Sequence, residues 1–477
     1  MKRRRSSLRR REIVRRLILP ALPLALAACA ATGTAPPPQS AATAQTASLE
    51  IDRAAYARRM EGFWLGQSIA NWTGLVTEMD KIGGDGPHGE FYTREDWGQP
   101  DQPSIFDPGK PSPISPTIDF VLRTPGESWG ADDDTDIEYI YQDALLKHRT
   151  SILTPEQIRQ AWIDHIYDET KPTPYGTDET SYQNYLWVSN QRAHDLMLAG
   201  TLPPETSDPE LNEHWEMIDA QLSTEIFGLF APGRPDVALR MADLPIRTAA
   251  RGEAADIARF HVALHALSAK VDPQRPLGPQ LRAIAEEAAA LLPEGEYPRA
   301  MYSFALAQYE SGATWEQARD AVYQRYQVDM QDGYDISSRG LYCNGCFAGG
   351  INFAAGLVSY FYGEGDLRDT IRIGTLAGWD SDNPTATWGG LIGSIMGRAA
   401  IEEAFGTPLS GSFHIHRTRK GFPNDGYDDF AAMGERSLSI VDRAVTGEAG
   451  GSIDRANGRW IIPIAANDWN PSPNGVR

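Results

Sequence analysis

Residues Gly378–Gly397 read GWDSDNPTATWGGLIGSIMG. Glycine returns at every fourth position, Gly389, Gly393 and Gly397, among large apolar residues. That spacing predicts a helix with one stripe bare of side chains, where another backbone can approach closely. The stretch opens on Asp380, Asp382 and Asn383, which puts two carboxylates at the N-terminus of a helix that reads as buried. The next cation downstream is Arg398. A buried carboxylate has to be neutralised, paired or metal-bound, and with no lysine or arginine beside it the balance favours a metal ion. An EF-hand does not fit. Thr385 stands at the sixth position, where that loop needs glycine, and Leu391 at the twelfth, where it needs glutamate.

Far upstream lies a second acidic stretch, Gly130-Ala131-Asp132-Asp133-Asp134-Thr135-Asp136-Ile137-Glu138, running into YIYQDALL. Capping and the helix dipole account for one or two acids at a helix start. They account poorly for three consecutive ones between Trp129 and an apolar helix. A hard divalent cation relieves such repulsion, since Mg²⁺ is held by a few carboxylates and keeps several waters. A solvated helix start and a metal site both stand as readings of this stretch alone. Two acidic clusters, each opening a buried helix, together suggest one binuclear site.

The rest of the chain is mostly helical in pattern. In EAADIARFHVALHALSAK the apolar residues Ile257, Phe260, Leu264 and Leu267 recur on one helical face. PEQIRQAWIDHIY, PQLRAIAEEAAALL, TWEQARDAVYQRY and FAAMGERSLSIVDRAV behave alike, and Thr154, Asp272 and Thr314 are candidate caps at or near three starts. Alternating stretches are rare, SFHIH (Ser412–His416) being the clearest. The expectation is an all-α domain with loop insertions, the longest from Gly83 to Trp129, a length more typical of a functional loop than of a connector.

Residues 1–28 read as a signal peptide: basic MKRRRSSLRRREIVRR, then LILPALPLALAA, too short to span a bilayer as a stable helix. Leu26-Ala27-Ala28-Cys29 resembles a bacterial lipobox, whose cysteine is lipidated and becomes the first residue. Arg10-Arg11 loosely resembles a twin-arginine signal, and Ala30 after the cysteine resembles outer-membrane sorting. An uncleaved anchor is the alternative; both export the chain. Residues 29–48 form a Pro/Ala/Ser/Thr-rich tether and residues 49–477 the domain. The formal net charge is −20. The leader holds nine Lys/Arg and one Glu, or +8, so the remainder carries −28. Such a chain does not bind nucleic acid electrostatically, and anionic substrates are repelled unless local cations intervene. Beyond Cys29 only Cys343 and Cys346 remain, read as a structural or incidental pair able to close a small disulfide.

Together these motifs resemble the ADP-ribosylglycohydrolases, including the dinitrogenase reductase-activating glycohydrolases. RMEGFWLGQSIANWTGLVTE (Arg59–Glu78) matches the family's opening Gly-rich helix, with Gly62, Gly66, Gly74 and Glu78 in register. Asp132-Asp133-Asp134-Thr135 matches its first metal motif, and Trp379-Asp380-Ser381-Asp382-Asn383 its last. The resemblance spans roughly residues 55–445. It implies an all-α fold with a binuclear metal cleft holding two Mg²⁺, with Mn²⁺ as a substitute. The implied ligands are Asp132, Asp133, Asp134, Asp380, Asp382 and Asn383, where Asp132 replaces Thr/Ser and Asn383 replaces Thr. Two departures bear on substrate recognition. Asn71 stands where the family usually has Asp, and DAQLSTEIFG stands in place of Gly-Asn-Gly-x-x-Met-Arg.

The resemblance further implies hydrolysis of a glycosidic bond to a ribose-like furanose, ADP-ribosyl or another glycoside. Asp134 or Asp382 would take a water proton, and Glu78 would act as an outer acid/base or gate. Twelve tryptophans, several near the motifs, suit stacking on sugar faces, so the expected partner is a small-molecule or saccharide substrate met by a monomer tethered through Cys29. The alternative is a non-catalytic, metal-stabilised binding or structural lipoprotein on the same fold. His261 and His265 share a helix face but lack the glutamate of a zinc-protease motif, so they read as core or surface histidines. His414 and His416 alternate as in a strand, without further ligands nearby. Cys343 has no evident partner base, and no P-loop or dinucleotide fingerprint occurs.

Overall fold

A computed structural model describes residues 47–106, 108–169 and 183–464. The leader, Cys29 and most of the tether lie outside the described residues. Among the described residues no helix is long and apolar enough to cross a membrane.

The first half carries helices α1 (Arg53–Gly74), α2 (Asp133–His148), α3 (Pro155–His165), α4 (Ser189–Leu198), α5 (Asp219–Leu222), α6 (Ile226–Phe230), α7 (Pro235–Ala249) and α8 (Gly252–Leu267). The second half carries α9 (Leu277–Ala289), α10 (Tyr297–Glu310), α11 (Trp315–Val322), α12 (Gly349–Tyr362), α13 (Leu367–Ala377), α14 (Asp382–Met396), α15 (Arg398–Phe405) and α16 (Phe430–Arg443). This is the predominantly helical architecture expected from the sequence. Thr154 and Thr314 cap α3 and α11 through their hydroxyls. Asp272 caps no helix; its carboxylate instead accepts from Gln274 N, because Pro276 delays the helix to Leu277.

Helix α1 is the centre of the molecule. The Asp52 carboxylate accepts from Ala55 N at 2.7 Å and fixes its start. Most of its residues are buried, so it is a core helix rather than a two-faced surface one. Its Gly62 and Gly66 lie against Gly393 and Gly389 of α14. A Cβ on Gly62 would sit 2.3 Å from Gly393 O, and one on Gly66 2.3 Å from Gly389 O. The two bare stripes thus let the backbones touch, as the four-residue spacing predicted. Gly397 instead ends α14 with φ +74°.

Two three-stranded sheets flank the helices. β1 (Ser48–Asp52) pairs antiparallel with β6 (Arg459–Pro463), which pairs with β5 (Ser452–Asp454). β2 (Trp129–Gly130) runs parallel to β3 (Ser412–His414), which pairs antiparallel with β4 (Tyr427–Asp429). The SFHIH alternation therefore yields three strand residues, not five. The second sheet aims the first acidic stretch: Ala131 N donates to His414 O at 3.1 Å, and Trp72 Nε1 to Gly130 O at 3.0 Å.

The long segment after α1 folds back over that helix's end. Ile105 N donates to Met79 O, and Lys81 Nζ donates to Pro87 O and Gln102 Oε1. Cys343 and Cys346 form a disulfide shortly before α12. His261 and His265 are core residues whose Nδ1 atoms face the carbonyls of Ile257 and His261, and burial pushes their pKa values down to about 3 and about 4.

Candidate metal centre and cleft

Three helix N-termini and the segment that follows α1 meet at one solvent-open cleft of about 420 Å³. Its acidic lining comprises Glu78, Asp132, Asp133, Asp219, Asp380 and Asp382, with Asn383 beside them. The two acidic stretches, remote in sequence, therefore face a common space.

Glu78 and Asp380 are placed by a reciprocal backbone bridge. Met79 N donates to Trp379 O at 2.9 Å, and Trp379 N donates to Lys81 O at 2.7 Å. Met79 and Trp379 both adopt positive φ, +57° and +55°, and so turn their neighbours toward the cleft. Ser381 Oγ donates to Gly74 O at 3.1 Å and pins the start of α14 to the end of α1. The outcome is a tight triad: Glu78, Asp380 and Asp382 each offer an oxygen, all within 4.8 Å of one another.

Asp132 is the N-cap of α2, its backbone N held by Thr135 Oγ1 at 3.0 Å. Asp133 is buried on the cleft wall. Asp134 is not among the lining residues. Its Oδ2 accepts from Asn71 Nδ2 at 3.3 Å, and its Oδ1 from Thr135 N. The same Asn71 amide lies 3.3 Å from Asp132 Oδ2 and 3.4 Å from Asp382 Oδ2. Asn71, read from sequence as a departure, is thus a neutral donor shared by both acidic stretches. Asn383 Nδ2 donates to Asp380 Oδ2 at 3.0 Å.

Burial is the leading cause that raises the carboxyl pKa of Glu78, Asp133, Asp134 and Asp382, and their mutual repulsion adds to it. Asp380 is pushed up to about 6 by burial, against hydrogen bonding from Asn383. So many buried acids, with no basic group in the lining among the described residues, are stable only as protonated groups or around a cation. Asp382 Oδ1 and Asn383 Oδ1 are buried with no hydrogen-bond partner. Unfilled acceptors, an all-oxygen donor set and a triad of this span fit a hard divalent cation.

Sequence reasoning missed several groups here. Asp219, at the start of α5, lines the cleft and accepts from Asn190 N at 2.9 Å; burial lifts its pKa to about 7. It is the first residue of the DAQLSTEIFG segment, and a buried helix start without a basic neighbour was its available signal. Behind Asp134 lies a second layer. Glu138 accepts from Gln67 Nε2 and Ile226 N, and Glu225 accepts from Thr387 Oγ1. Deeper still, Asp136 forms a fully buried ion pair with Arg419 at 2.7 Å. Trp187 and Phe347 line the cleft from loops that carry no periodic pattern.

No curated protein matches the chain. Among solved structures, an ADP-ribosylglycohydrolase-related protein complex is similar at 15% identity, over 82% of this chain and 99% of that one, with a TM-score of 0.45. The family model described as ADP-ribosylglycohydrolase matches residues 52–438, from the cap of α1 into α16 and across every acid of the cleft. The chain belongs to the ADP-ribosylglycohydrolase family.

Proposed function

We infer that the protein is a divalent-metal-dependent hydrolase of a glycosidic bond to a ribose-like furanose, using two Mg²⁺ or, in substitution, Mn²⁺. The observation that carries this reading is the Glu78–Asp380–Asp382 triad, set at a cleft whose lining, among the described residues, holds no lysine or arginine. Asp132, Asp133, Asp380, Asp382 and Asn383 would hold the ions from the cleft wall, and Asp134 would hold the site together through Asn71. When bound, such ions supply Lewis acidity and a template for vicinal sugar hydroxyls.

The chain's own carboxylates supply the proton chemistry. Glu78 is the only triad member outside the α14 start and is half-buried, so its carboxyl is the one best placed to exchange protons with solvent and substrate. Asp382 is the candidate to accept the proton of an attacking water. Asp134 is a weaker candidate than Asp382 because both its oxygens are engaged behind the lining. The leader and Cys29 support an exported, lipid-tethered protein.

Calorimetric titration of the purified chain with Mg²⁺ and Mn²⁺ tests this reading, with Asp382→Asn as control. Saturation near two ions, halved or lost in the variant, is the expected outcome. Absence of binding in both proteins would return the acids to the role of helix caps in a non-catalytic lipoprotein.

A further inference from the structure

The cleft's mouth is aromatic. Trp187 and Phe347 line it, and Phe106 stacks beside both, with ring centroids 6.0 and 5.9 Å away and planes inclined by 22° and 19°. At that separation near-parallel rings are offset, and they present a tiled surface instead of a closed sandwich. Phe106 and Trp187 remain 44% and 42% exposed, unusual for side chains of this size in a folded protein. The tile is held from beneath by main chain. Ile105 N donates to Met79 O at 3.1 Å, one residue from Glu78, and Ile218 N donates to Phe347 O at 3.0 Å, one residue from Asp219. The Cys343–Cys346 disulfide closes immediately before Phe347.

Charge sets the second constraint. The lining carries six carboxylates and, among the described residues, no lysine or arginine. Two divalent ions would offset four of those charges at full ionisation, leaving the cleft acidic. A diphosphate would bring further negative charge to a surface that, among the described residues, offers no cationic side chain to receive it. A neutral ring meets no such penalty and gains contact area on the aromatic tile.

We propose that Phe106, Trp187 and Phe347 form a stacking subsite for an uncharged ring of the substrate, so that the enzyme prefers neutral furanosides over diphosphate-bearing ADP-ribosyl groups. The proposal rests on the glycosidase reading of the same cleft. A nucleobase and the apolar face of a sugar offer the same chemistry to this tile, and a substrate panel separates them.

The full chain, supplied with Mg²⁺ and then Mn²⁺, is assayed on adenosine, on a neutral furanosyl disaccharide and on ADP-ribosyl-arginine. The parent, Trp187→Ala and Trp187→Phe are compared. The expected result is a higher kcat/KM for one of the neutral substrates, with KM raised about tenfold in Trp187→Ala, kcat little changed, and most of the loss recovered in Trp187→Phe. Preference for ADP-ribosyl-arginine, or a KM for neutral substrates indifferent to Trp187→Ala, overturns the proposal while leaving the glycosidase reading intact. If no substrate is hydrolysed, the glycosidase reading fails on its own. Calorimetric binding of adenosine and the disaccharide then decides the subsite: affinity lost about tenfold in Trp187→Ala supports it, and binding absent or independent of Trp187 overturns it.

Discussion

Gly74, the last residue of α1, faces the start of α14 so closely that a Cβ on it would lie 2.4 Å from Asp382 Cα. The position of a cleft carboxylate is therefore set by the lack of a side chain on another helix. Gly74→Ala must push Asp382 away from Glu78 and Asp380. The expected outcome is a loss of about tenfold or more in Mg²⁺ affinity by calorimetry, the range typical of groups that orient metal ligands. Gly447→Ala, where a Cβ meets nothing within 4 Å, serves as the control and should leave the affinity unchanged.

The same contact logic, moved along α1, predicts a stability effect. Gly66→Ala and Gly393→Ala each place a methyl 2.3 Å from a carbonyl oxygen of the facing helix, Gly389 O and Gly62 O respectively. Backbone cannot yield as a flexible side chain would, so the helices must separate. Each variant should lose about 1–3 kcal/mol or more in urea unfolding. Equal stability of parent and variants would mean that the two stripes do not meet.

The stripe was legible because both partners carry it: Gly62 and Gly66 on one helix, Gly389 and Gly393 on the other, each spaced by four. The acids were legible for a related reason, since consecutive carboxylates before an apolar helix with no basic neighbour have few physical explanations. What the sequence hid lies where no periodicity exists. Asp219 opens a four-residue helix, and Trp187 and Phe347 sit on loops. Asn71 was visible, but not the contacts it makes. Its importance comes from the three carboxylates its amide meets, and such a meeting is a property of the fold.

Asn71 leads to a prediction whose size depends on metal. Its Nδ2 is, among the described residues, the one neutral donor shared by Asp132, Asp134 and Asp382. Asn71→Asp replaces that donor with another carboxylate. In EDTA the variant should melt several degrees below the parent, because like charges at this range repel strongly when buried. Saturating Mg²⁺ should raise its Tm more than it raises the parent's, since an ion binding the native state alone stabilises by mass action. A Tm gap that Mg²⁺ fails to narrow would argue against a cation among these groups.

The layer beneath the cleft predicts a pH dependence in the metal-free protein. Burial lifts the Glu225 carboxyl from 4.5 to about 8, and beside it burial and the Glu225 charge hold Glu138 well above the carboxylate range. The native state therefore keeps protons that the unfolded chain has already released. Stability contributed by such a group is present below its unfolded pKa and is lost as pH rises toward the folded value, here between about 4.5 and about 8. Glu225→Gln removes the titration while its amide oxygen can still accept from Thr387 Oγ1. In EDTA, urea unfolding at pH 5 and pH 8 should show a decline in the parent that is smaller in the variant by on the order of a few kcal/mol. Identical slopes in the two proteins would show that Glu225 is ionised in the folded state across this range.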